Sequence, residues 1–211
     1  MINVLYIHGM GGGGDSRIPA ILRDSLFEKG INVVVRTYDF DPETAHRQIC
    51  GWVEELSPSL VIGESLGAVH TLRIKGLPHI LISPSLNAPL YLGYLSWLAI
   101  IPGVTWLLDR IYKPKEGDRQ KLHFTFFTLR KYVRHRREAL DNSTQAGSQD
   151  FYFAFFGTKD HYRKSGIVSV KTWKKYFGNT LAEYEGTHFT EEEHIYSIVL
   201  PFICNILDIN E

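Results

Sequence analysis

The amino-acid sequence predicts an α/β fold with a doubly wound, mostly parallel sheet of about six strands. Two observations predict it. Short apolar runs alternate with helical segments along the 211 residues, a pattern typical of parallel sheets with right-handed crossovers. Glycine-rich turns follow two of the runs, at the strand ends where such sheets bind ligands. The length suits one domain, residues 1–211, that carries a helical insertion at residues 89–149.

Composition narrows the functional classes. Lys and Arg total 23, as do Asp and Glu, so the net charge does not favour nucleic acid as a partner. Cys50 and Cys204 lie far apart without the spacing of a zinc module, so no metal site is expected. The chain opens directly on a strand without the features of a secretory signal, which favours a cytoplasmic location.

The first predicted strand, residues 2–7, ends in a glycine-rich loop at 8–14. One interpretation is a dinucleotide site, because three glycines fit G-x-G-x-x-G and Asp39 after the next strand could bind a ribose. The three glycines are Gly9, Gly11 and Gly14. A nucleotide-binding oxidoreductase is therefore one candidate class.

The start of the next helix argues against that interpretation. The third glycine of a dinucleotide site lies inside the following helix. Here Asp15 or Ser16 has the character of an N-cap, and Pro19 suits the first turn. The alternative is that the loop offers a backbone N–H group to an oxyanion.

The next elements continue the alternation of strand and helix. Gly30 ends the first helix, three consecutive valines mark the second strand, and Asp41 precedes a proline that begins the second helix. The predicted ranges are helix 18–29, strand 31–38, helix 42–56, strand 60–62 and helix 68–75.

The turn between the third strand and its helix fits G-x-S-x-G, with Gly63, Ser65 and Gly67. A serine on a sharp strand-to-helix turn has a strained backbone, and side chains two residues away on either side would collide with neighbouring elements. Glycine removes the collision. The pattern therefore predicts a nucleophile elbow, with a buried turn that uses structural glycines as the alternative.

A fourth strand at 79–83 leads into a segment, residues 83–108, without any charged residue. Its length suits a membrane span, but three prolines and two glycines interrupt it. We expect instead a pair of short helices inserted over the site as a lid or acyl pocket. The predicted substrate contacts are His8, Tyr91, Tyr94 and Trp97. An exposed lid would also suit a peripheral membrane contact or a homodimer interface, and the sequence does not choose between them.

The rest of the insertion is charged and polar. A charged linker at 113–121 precedes an amphipathic helix at 122–140, and a polar loop at 141–150 ends the insertion. The basic face of the helix is expected to be solvated surface. The apolar face is Leu122, Phe126, Leu129 and Val133, and the basic face is Arg130, Lys131, Arg134, Arg136 and Arg137.

Two later strands are each followed by a side chain suited to catalysis. Asp160 follows the strand predicted at 151–156, and His188 follows the strand predicted at 181–184. The carboxyl ends of parallel strands meet at one edge of a sheet, so Ser65, Asp160 and His188 are candidates for a single site. Further helices are predicted at 166–176 and 191–207.

These three residue types suit nucleophilic catalysis. Neutral serine is a poor nucleophile, so an imidazole must take its proton and a buried carboxylate must orient that imidazole. Structural explanations are also open: Asp160 as a helix N-cap or turn residue, and His188 as a loop histidine. His161 and His194 are competing bases, whereas His70 is expected to be a core histidine.

Four segments resemble the α/β-hydrolase superfamily, in order and across nearly the whole chain. They are HGMG at 8–11, GESLG at 63–67, GTKD at 157–160 and GTH at 186–188. The short chain, its start at the first of these strands and its Ser-Pro-Ser at 83–85 resemble compact bacterial carboxylesterases of the YqiA type. The chain departs from the superfamily by lacking the opening antiparallel hairpin, and from the compact esterases by its insertion.

The resemblance implies a serine hydrolase that cleaves a carboxylic ester, with thioesters or amides as alternatives, through an acyl-enzyme and without a cofactor. Ser65 would be the nucleophile, His188 the base and Asp160 the carboxylate that orients it. The N–H groups of Met10 and Leu66 would form the oxyanion hole. The apolar insertion favours a small-molecule ester with an apolar group. A non-catalytic interaction protein on the same fold is a third candidate class.

Overall fold

The computed structural model describes residues 1–114, 116–144 and 150–208. Six strands are described in these ranges: β1 (Ile2–Ile7), β2 (Ile31–Val35), β3 (Leu60–Glu64), β4 (Pro78–Ile82), β5 (Phe151–Gly157) and β6 (Leu181–Tyr184). They pair in parallel in the order β2-β1-β3-β4-β5-β6. This sheet confirms the predicted α/β architecture, and the carboxyl ends of all six strands lie at one edge.

Helices connect the strands and cover both faces of the sheet. They are α1 (Arg17–Phe27), α2 (Pro42–Leu56), α3 (Gly67–Thr71), α4 (Ala88–Leu98), α5 (Val104–Ile111), α6 (Phe126–Thr144), α7 (Tyr162–Ser165), α8 (Val170–Phe177), α9 (Glu192–His194) and α10 (Leu200–Ile206). A π-helical turn (Ile195–Val199) joins the last two. The helix predicted at 166–176 corresponds to α8, which begins four residues later, and the short helix α7 precedes it. The helix predicted at 191–207 changes to π-helical winding at its centre.

The two faces of the sheet have separate apolar cores, because successive strand residues point to opposite sides. Val4 and Tyr6 of β1 pack on the side of α1 and the C-terminal helices. Leu5 and Ile7 of the same strand pack on the other side, against α2. Residues of α3, α6 and α8 complete that second side.

Two predicted elements near the glycine-rich turns are shorter than expected. β2 ends three residues early because the chain turns Tyr38 inward, where its hydroxyl donates a hydrogen bond to the His8 carbonyl at 2.6 Å. α3 ends at Thr71 rather than at residue 75, because the N–H groups of the next turn bond three residues back: Arg73 donates to the His70 carbonyl and Ile74 to the Thr71 carbonyl. Both shortened elements remain at their predicted places in the order.

The long helix of the insertion is displaced along the chain. α6 begins at Phe126 because Thr125 Oγ1 accepts a hydrogen bond from the Thr128 N–H at 3.2 Å and caps the helix. It runs to Thr144, so residues 141–144 of the predicted polar loop are helical. Residues 145–149 of that loop and Lys115 of the predicted linker lie outside the described residues. The buried residues of α6 include Leu129, Tyr132, His135 and Ala139.

The insertion between β4 and β5 contains α4, α5 and α6. The predicted pair of short helices is present as α4 and α5. α4 packs closely on α6, since a Cβ atom at Gly93 would lie 2.4 Å from Val133 Cγ2. None of the helices in the described ranges combines the length and the apolar character that a bilayer crossing needs.

Candidate active site

Ser65 lies on a tight turn, and close contacts on both sides of it explain the two flanking glycines. Ser65 has a φ of 50°, in the left-handed region that few residues other than glycine adopt. A Cβ atom at Gly63 would lie 2.3 Å from Thr71 Oγ1, and one at Gly67 would lie 2.3 Å from the His8 carbonyl oxygen. Each distance is far shorter than van der Waals contact, so both positions require glycine.

The glycine-rich loop after β1 lies against this turn. A Cβ atom at Gly9 would lie 3.1 Å from Ser65 Cβ. His8 is fully buried, its Nδ1 lies 2.7 Å from the Gly9 carbonyl oxygen, and burial lowers its pKa to about 4. His8 therefore shapes the loop from inside, and it does not line the pocket beside Ser65.

Three side chains form a hydrogen-bonded chain at the carboxyl ends of β3, β5 and β6. His188 Nε2 lies 2.9 Å from Ser65 Oγ, and His188 Nδ1 lies 2.7 Å from Asp160 Oδ2. The Tyr162 N–H donates to the second carboxylate oxygen, Asp160 Oδ1, at 2.8 Å. The side chain of Asp160 is fully buried and that of His188 is only 6% exposed. The structure therefore brings together the three residues that the sequence selected.

The other candidate histidines lie elsewhere. His161 packs on Tyr162, with its ring centre 6.2 Å from that of His188. His194 Nε2 lies 3.2 Å from the Glu185 carbonyl oxygen. The expected core histidine, His70, is fully buried, with Nδ1 2.9 Å from His135 Nε2. In the described part of the chain, none of the three has a hydrogen bond to Ser65.

A pocket of about 240 Å³ opens beside Ser65. It is bounded by the glycine loop, the turn after Ser65, the start of α4 and the loop that carries His188. Its lining includes Gly9, Met10, Glu64, Leu66, Ser85, Ala88, Tyr91, Leu92, Tyr162, Ile167 and Phe189. Of the predicted substrate contacts, Tyr91 lines the pocket, whereas Tyr94 and Trp97 are not part of its wall and are 75% and 57% exposed.

Two polar neighbours of Ser65 were not selected from the sequence. Ser85 Oγ lies 3.1 Å from Ser65 Oγ. The Glu64 carboxylate accepts a hydrogen bond from the Tyr6 hydroxyl at 2.8 Å, and burial raises the pKa of this carboxyl. The sequence shows Ser85 shortly after the fourth strand and Glu64 beside the serine, but it fixes neither contact.

The glycine loop is already engaged by polar groups of the chain itself. The Gly11 N–H donates to Gln120 Oε1 at 3.1 Å, and the Gly14 N–H donates to Asp118 Oδ2 at 3.2 Å. A pyrophosphate would need such amides free. Asp39 bonds instead to the start of α2, where its Oδ1 accepts the Asp41 N–H at 2.7 Å. These contacts argue against the dinucleotide interpretation of the loop.

Within residues 1–114, 116–144 and 150–208, no three His, Cys, Asp or Glu side chains converge in a way that could hold a metal ion.

Solved structures share this architecture. A monoacylglycerol lipase from Paleococcus ferrophilus aligns with a TM-score of 0.67 at 16% identity, over 99% of this chain and 95% of that one. Est1E from Butyrivibrio proteoclasticus with bound ferulic acid gives 0.65 at 15% identity, over 99% and 90%. An extracellular alpha/beta-hydrolase from a Paenibacillus species gives 0.57 at 11% identity, over 98% of both chains. This chain has the α/β-hydrolase fold.

Comparison of the sequence alone finds no matching protein-family model and no matching curated protein. In enzymes with the α/β-hydrolase fold, a nucleophile on a strand-to-helix turn precedes the acid and then the histidine along the chain. Ser65, Asp160 and His188 follow β3, β5 and β6 in that order. The order of these three residue types along the chain is therefore the order typical of that fold.

Proposed function

We propose that this protein is a serine hydrolase that cleaves a carboxylic ester through an acyl-enzyme, with thioesters and amides as alternative substrates. One observation carries the proposal: Ser65 Oγ lies 2.9 Å from His188 Nε2, while His188 Nδ1 lies 2.7 Å from a buried carboxylate oxygen of Asp160. A hydroxyl, an imidazole and a carboxylate in this series are the parts that activate a serine.

In the proposed first step, Ser65 Oγ attacks the carbonyl carbon of the ester while His188 Nε2 takes the hydroxyl proton. Asp160 supports this step in two ways. It fixes the proton on Nδ1, so that Nε2 is free to accept, and it stabilises the imidazolium that forms. The His188 proton then passes to the leaving alcohol oxygen as the C–O bond breaks. A water molecule, deprotonated in turn by His188, hydrolyses the acyl-enzyme.

The backbone N–H groups of Met10 and Leu66 are proposed to stabilise the oxyanion. Both residues line the pocket beside Ser65, one on the glycine loop and one directly after the nucleophile. Among the described residues, neither amide has a hydrogen-bond acceptor. Two free donors at this position would receive the negative charge that develops on the carbonyl oxygen.

The pocket supports a small ester with an apolar group as the substrate. Ala88, Leu92 and Ile167 give its wall an aliphatic character, and Tyr91 adds an aromatic ring. We propose that residues 89–149 act as a lid, because α4 forms part of this wall. Among the structural neighbours, one is a monoacylglycerol lipase and another binds ferulic acid. The narrower kinship with compact esterases of the YqiA type stays a prediction.

The proposal is tested by labelling the protein with a fluorophosphonate and measuring its intact mass. We expect one adduct on the wild type and none on Ser65→Ala. Ser85→Ala is the matched control, because it removes the hydroxyl only 3.1 Å away and should still be labelled. The wild type and Ser85→Ala should also hydrolyse nitrophenyl esters, assayed over a range of acyl lengths, whereas Ser65→Ala should not. A folded wild type that is neither labelled nor active, or an adduct that survives in Ser65→Ala, would overturn the proposal.

A further inference from the structure

The segment formed by α4, α5 and their connection exposes many large apolar side chains. We call residues 94–106 the apolar ridge. Its side chains that are more than half exposed are Tyr94, Trp97, Leu98, Ile100, Ile101 and Trp106. Monomeric soluble proteins rarely expose a contiguous apolar surface of this extent unless a partner covers it.

The charge of the insertion is opposite to that of the remaining chain. Residues 89–149 contain ten Lys or Arg and five Asp or Glu, a net charge of +5. The rest of the chain contains 13 Lys or Arg and 18 Asp or Glu, a net charge of −5. The chain is neutral in total because the cationic insertion is balanced by the anionic remainder. A cationic insertion favours a partner of negative charge.

Two cations lie directly beside the ridge. The guanidinium carbon of Arg110 lies 5.4 Å from the ring centre of Trp106, and that of Arg130 lies 5.5 Å from the ring centre of Trp97. Among the described residues, neither arginine has an ion-pair partner. Lys131, on another face of α6, is instead paired with Asp41 at 2.6 Å. The cations beside the ridge are therefore available to an outside anion.

We propose that the apolar ridge docks on the surface of a lipid bilayer that contains anionic phospholipids. Leu98, Ile100 and Ile101 would enter the boundary between headgroups and acyl chains. Trp97 and Trp106 would lie at headgroup level, where tryptophan rings are enriched. Arg110 and Arg130 would extend from these rings to lipid phosphates. Ridge, tryptophans and cations together form the pattern of a peripheral membrane surface.

The charge pattern favours a bilayer over a second copy of this chain. A dimer through the ridge would place two insertions of charge +5 face to face, and like charges across an interface oppose association. An anionic bilayer supplies the opposite sign. Docking in this form requires no chemistry at Ser65, so it stands apart from the proposed hydrolase activity.

The experiment is flotation of the full chain with phosphatidylcholine vesicles, with and without phosphatidylserine. We expect binding to the anionic vesicles and weaker binding as salt is raised. Ile100→Ser should lower the partition coefficient by about tenfold or more, since it removes a large apolar side chain that docking would bury in the bilayer. Arg110→Gln should lower it by about fivefold, as expected for one cation near an anionic surface.

Two variants at the end of α1 provide matched controls. Phe27 is 61% exposed and Lys29 is also exposed, and both lie outside the insertion. Phe27→Ser and Lys29→Gln should bind vesicles like the wild type, and so should Ser65→Ala. Thermal unfolding of every variant confirms that it is folded.

Three outcomes would overturn the proposal. The first is absence of wild-type binding to anionic vesicles. The second is an equal loss of binding in Phe27→Ser and Ile100→Ser. The third is a wild-type dimer, seen by sedimentation equilibrium, that Ile100→Ser dissociates while no form of the protein binds vesicles. Ser65→Ala should bind vesicles although it is neither labelled by a fluorophosphonate nor active on esters. Its binding therefore tests the membrane proposal separately from the proposed hydrolysis.

Discussion

Ser85 Oγ lies 3.1 Å from Ser65 Oγ, and the backbone N–H of Ser85 donates to the Ser65 carbonyl at 3.0 Å. The hydroxyl of Ser65 therefore has two polar neighbours, Ser85 Oγ and His188 Nε2. If Asp160 holds the His188 proton on Nδ1, Nε2 must accept the only proton of the Ser65 hydroxyl. Ser85 is then the donor in its bond to Ser65, and we assign it a positioning role.

Replacing Ser85 by alanine should lower kcat/KM for a nitrophenyl ester by about fivefold, which corresponds to a typical hydrogen bond of about 1 kcal/mol. Ser85→Ala keeps the backbone bond to Ser65, so the elbow should stay folded. Ser85→Thr keeps the hydroxyl and should recover most of the activity. Equal activity of the wild type and Ser85→Ala across the pH range would contradict this role.

Asp160→Asn should lower kcat by about 10³- to 10⁴-fold while leaving KM close to the wild-type value, because an amide no longer fixes the Nδ1–H tautomer of His188. Oδ1 remains able to accept the Tyr162 N–H, so the loop should keep its position.

His161 provides the control for the identity of the base. Its ring centre is only 6.2 Å from that of His188, yet it has no hydrogen bond to Ser65 in the described chain. His161→Gln should turn over substrate nearly as fast as the wild type, whereas His188→Gln should be as impaired as Ser65→Ala. The reverse pattern would show that His161 is the base.

The sequence predicts the sheet and the grouping of Ser65, Asp160 and His188 for the same physical reason. Each residue follows an apolar run, and a parallel sheet brings the ends of such runs to one edge. The structure places β6 at Leu181–Tyr184, as predicted. No side-chain geometry is needed for an inference of this kind, because connectivity alone brings the three residues together.

Contacts that depend on exact register or helix phase could not be predicted in this way. Tyr6 meets Glu64, 58 residues away, only because β1 pairs with β3 in one particular register. Tyr94 and Trp97 lie outside the pocket wall because the close packing at Gly93 sets the face of α4 that contacts α6. Local periodicity carries no information on either choice, since both are fixed by packing between distant segments.

The two glycines at residues 67 and 51 should respond to alanine in opposite ways. A Cβ atom at Gly67 would lie 2.3 Å from the His8 carbonyl oxygen, so Gly67→Ala should lower the free energy of unfolding by more than about 2 kcal/mol. Gly51 is exposed in the middle of α2, and a Cβ atom there would meet nothing within 4 Å. Gly51→Ala should raise the free energy of unfolding by about 1 kcal/mol.

Urea denaturation followed by tryptophan fluorescence measures both changes. If Gly67→Ala were as stable as the wild type and still labelled by a fluorophosphonate, the close approach of the elbow to the loop after β1 would be wrong.

Buried histidines should make the protein sensitive to acid. Burial lowers the pKa of His8 and of His79 from 6.5 to about 4, so both stay neutral in the folded chain at pH 5, whereas the unfolded chain protonates them. The free energy of unfolding should therefore fall as the pH drops from about 6.5 toward 4, by up to about 1.4 kcal/mol per pH unit for each such imidazole.

His79 lies on β4, stacked on Tyr152 away from the pocket, so His79→Gln removes one of these groups without touching the site. Between pH 7 and pH 5, urea denaturation should show a loss of stability about 2 kcal/mol smaller in His79→Gln than in the wild type. Equal losses in the two proteins would mean that His79 takes up its proton without unfolding.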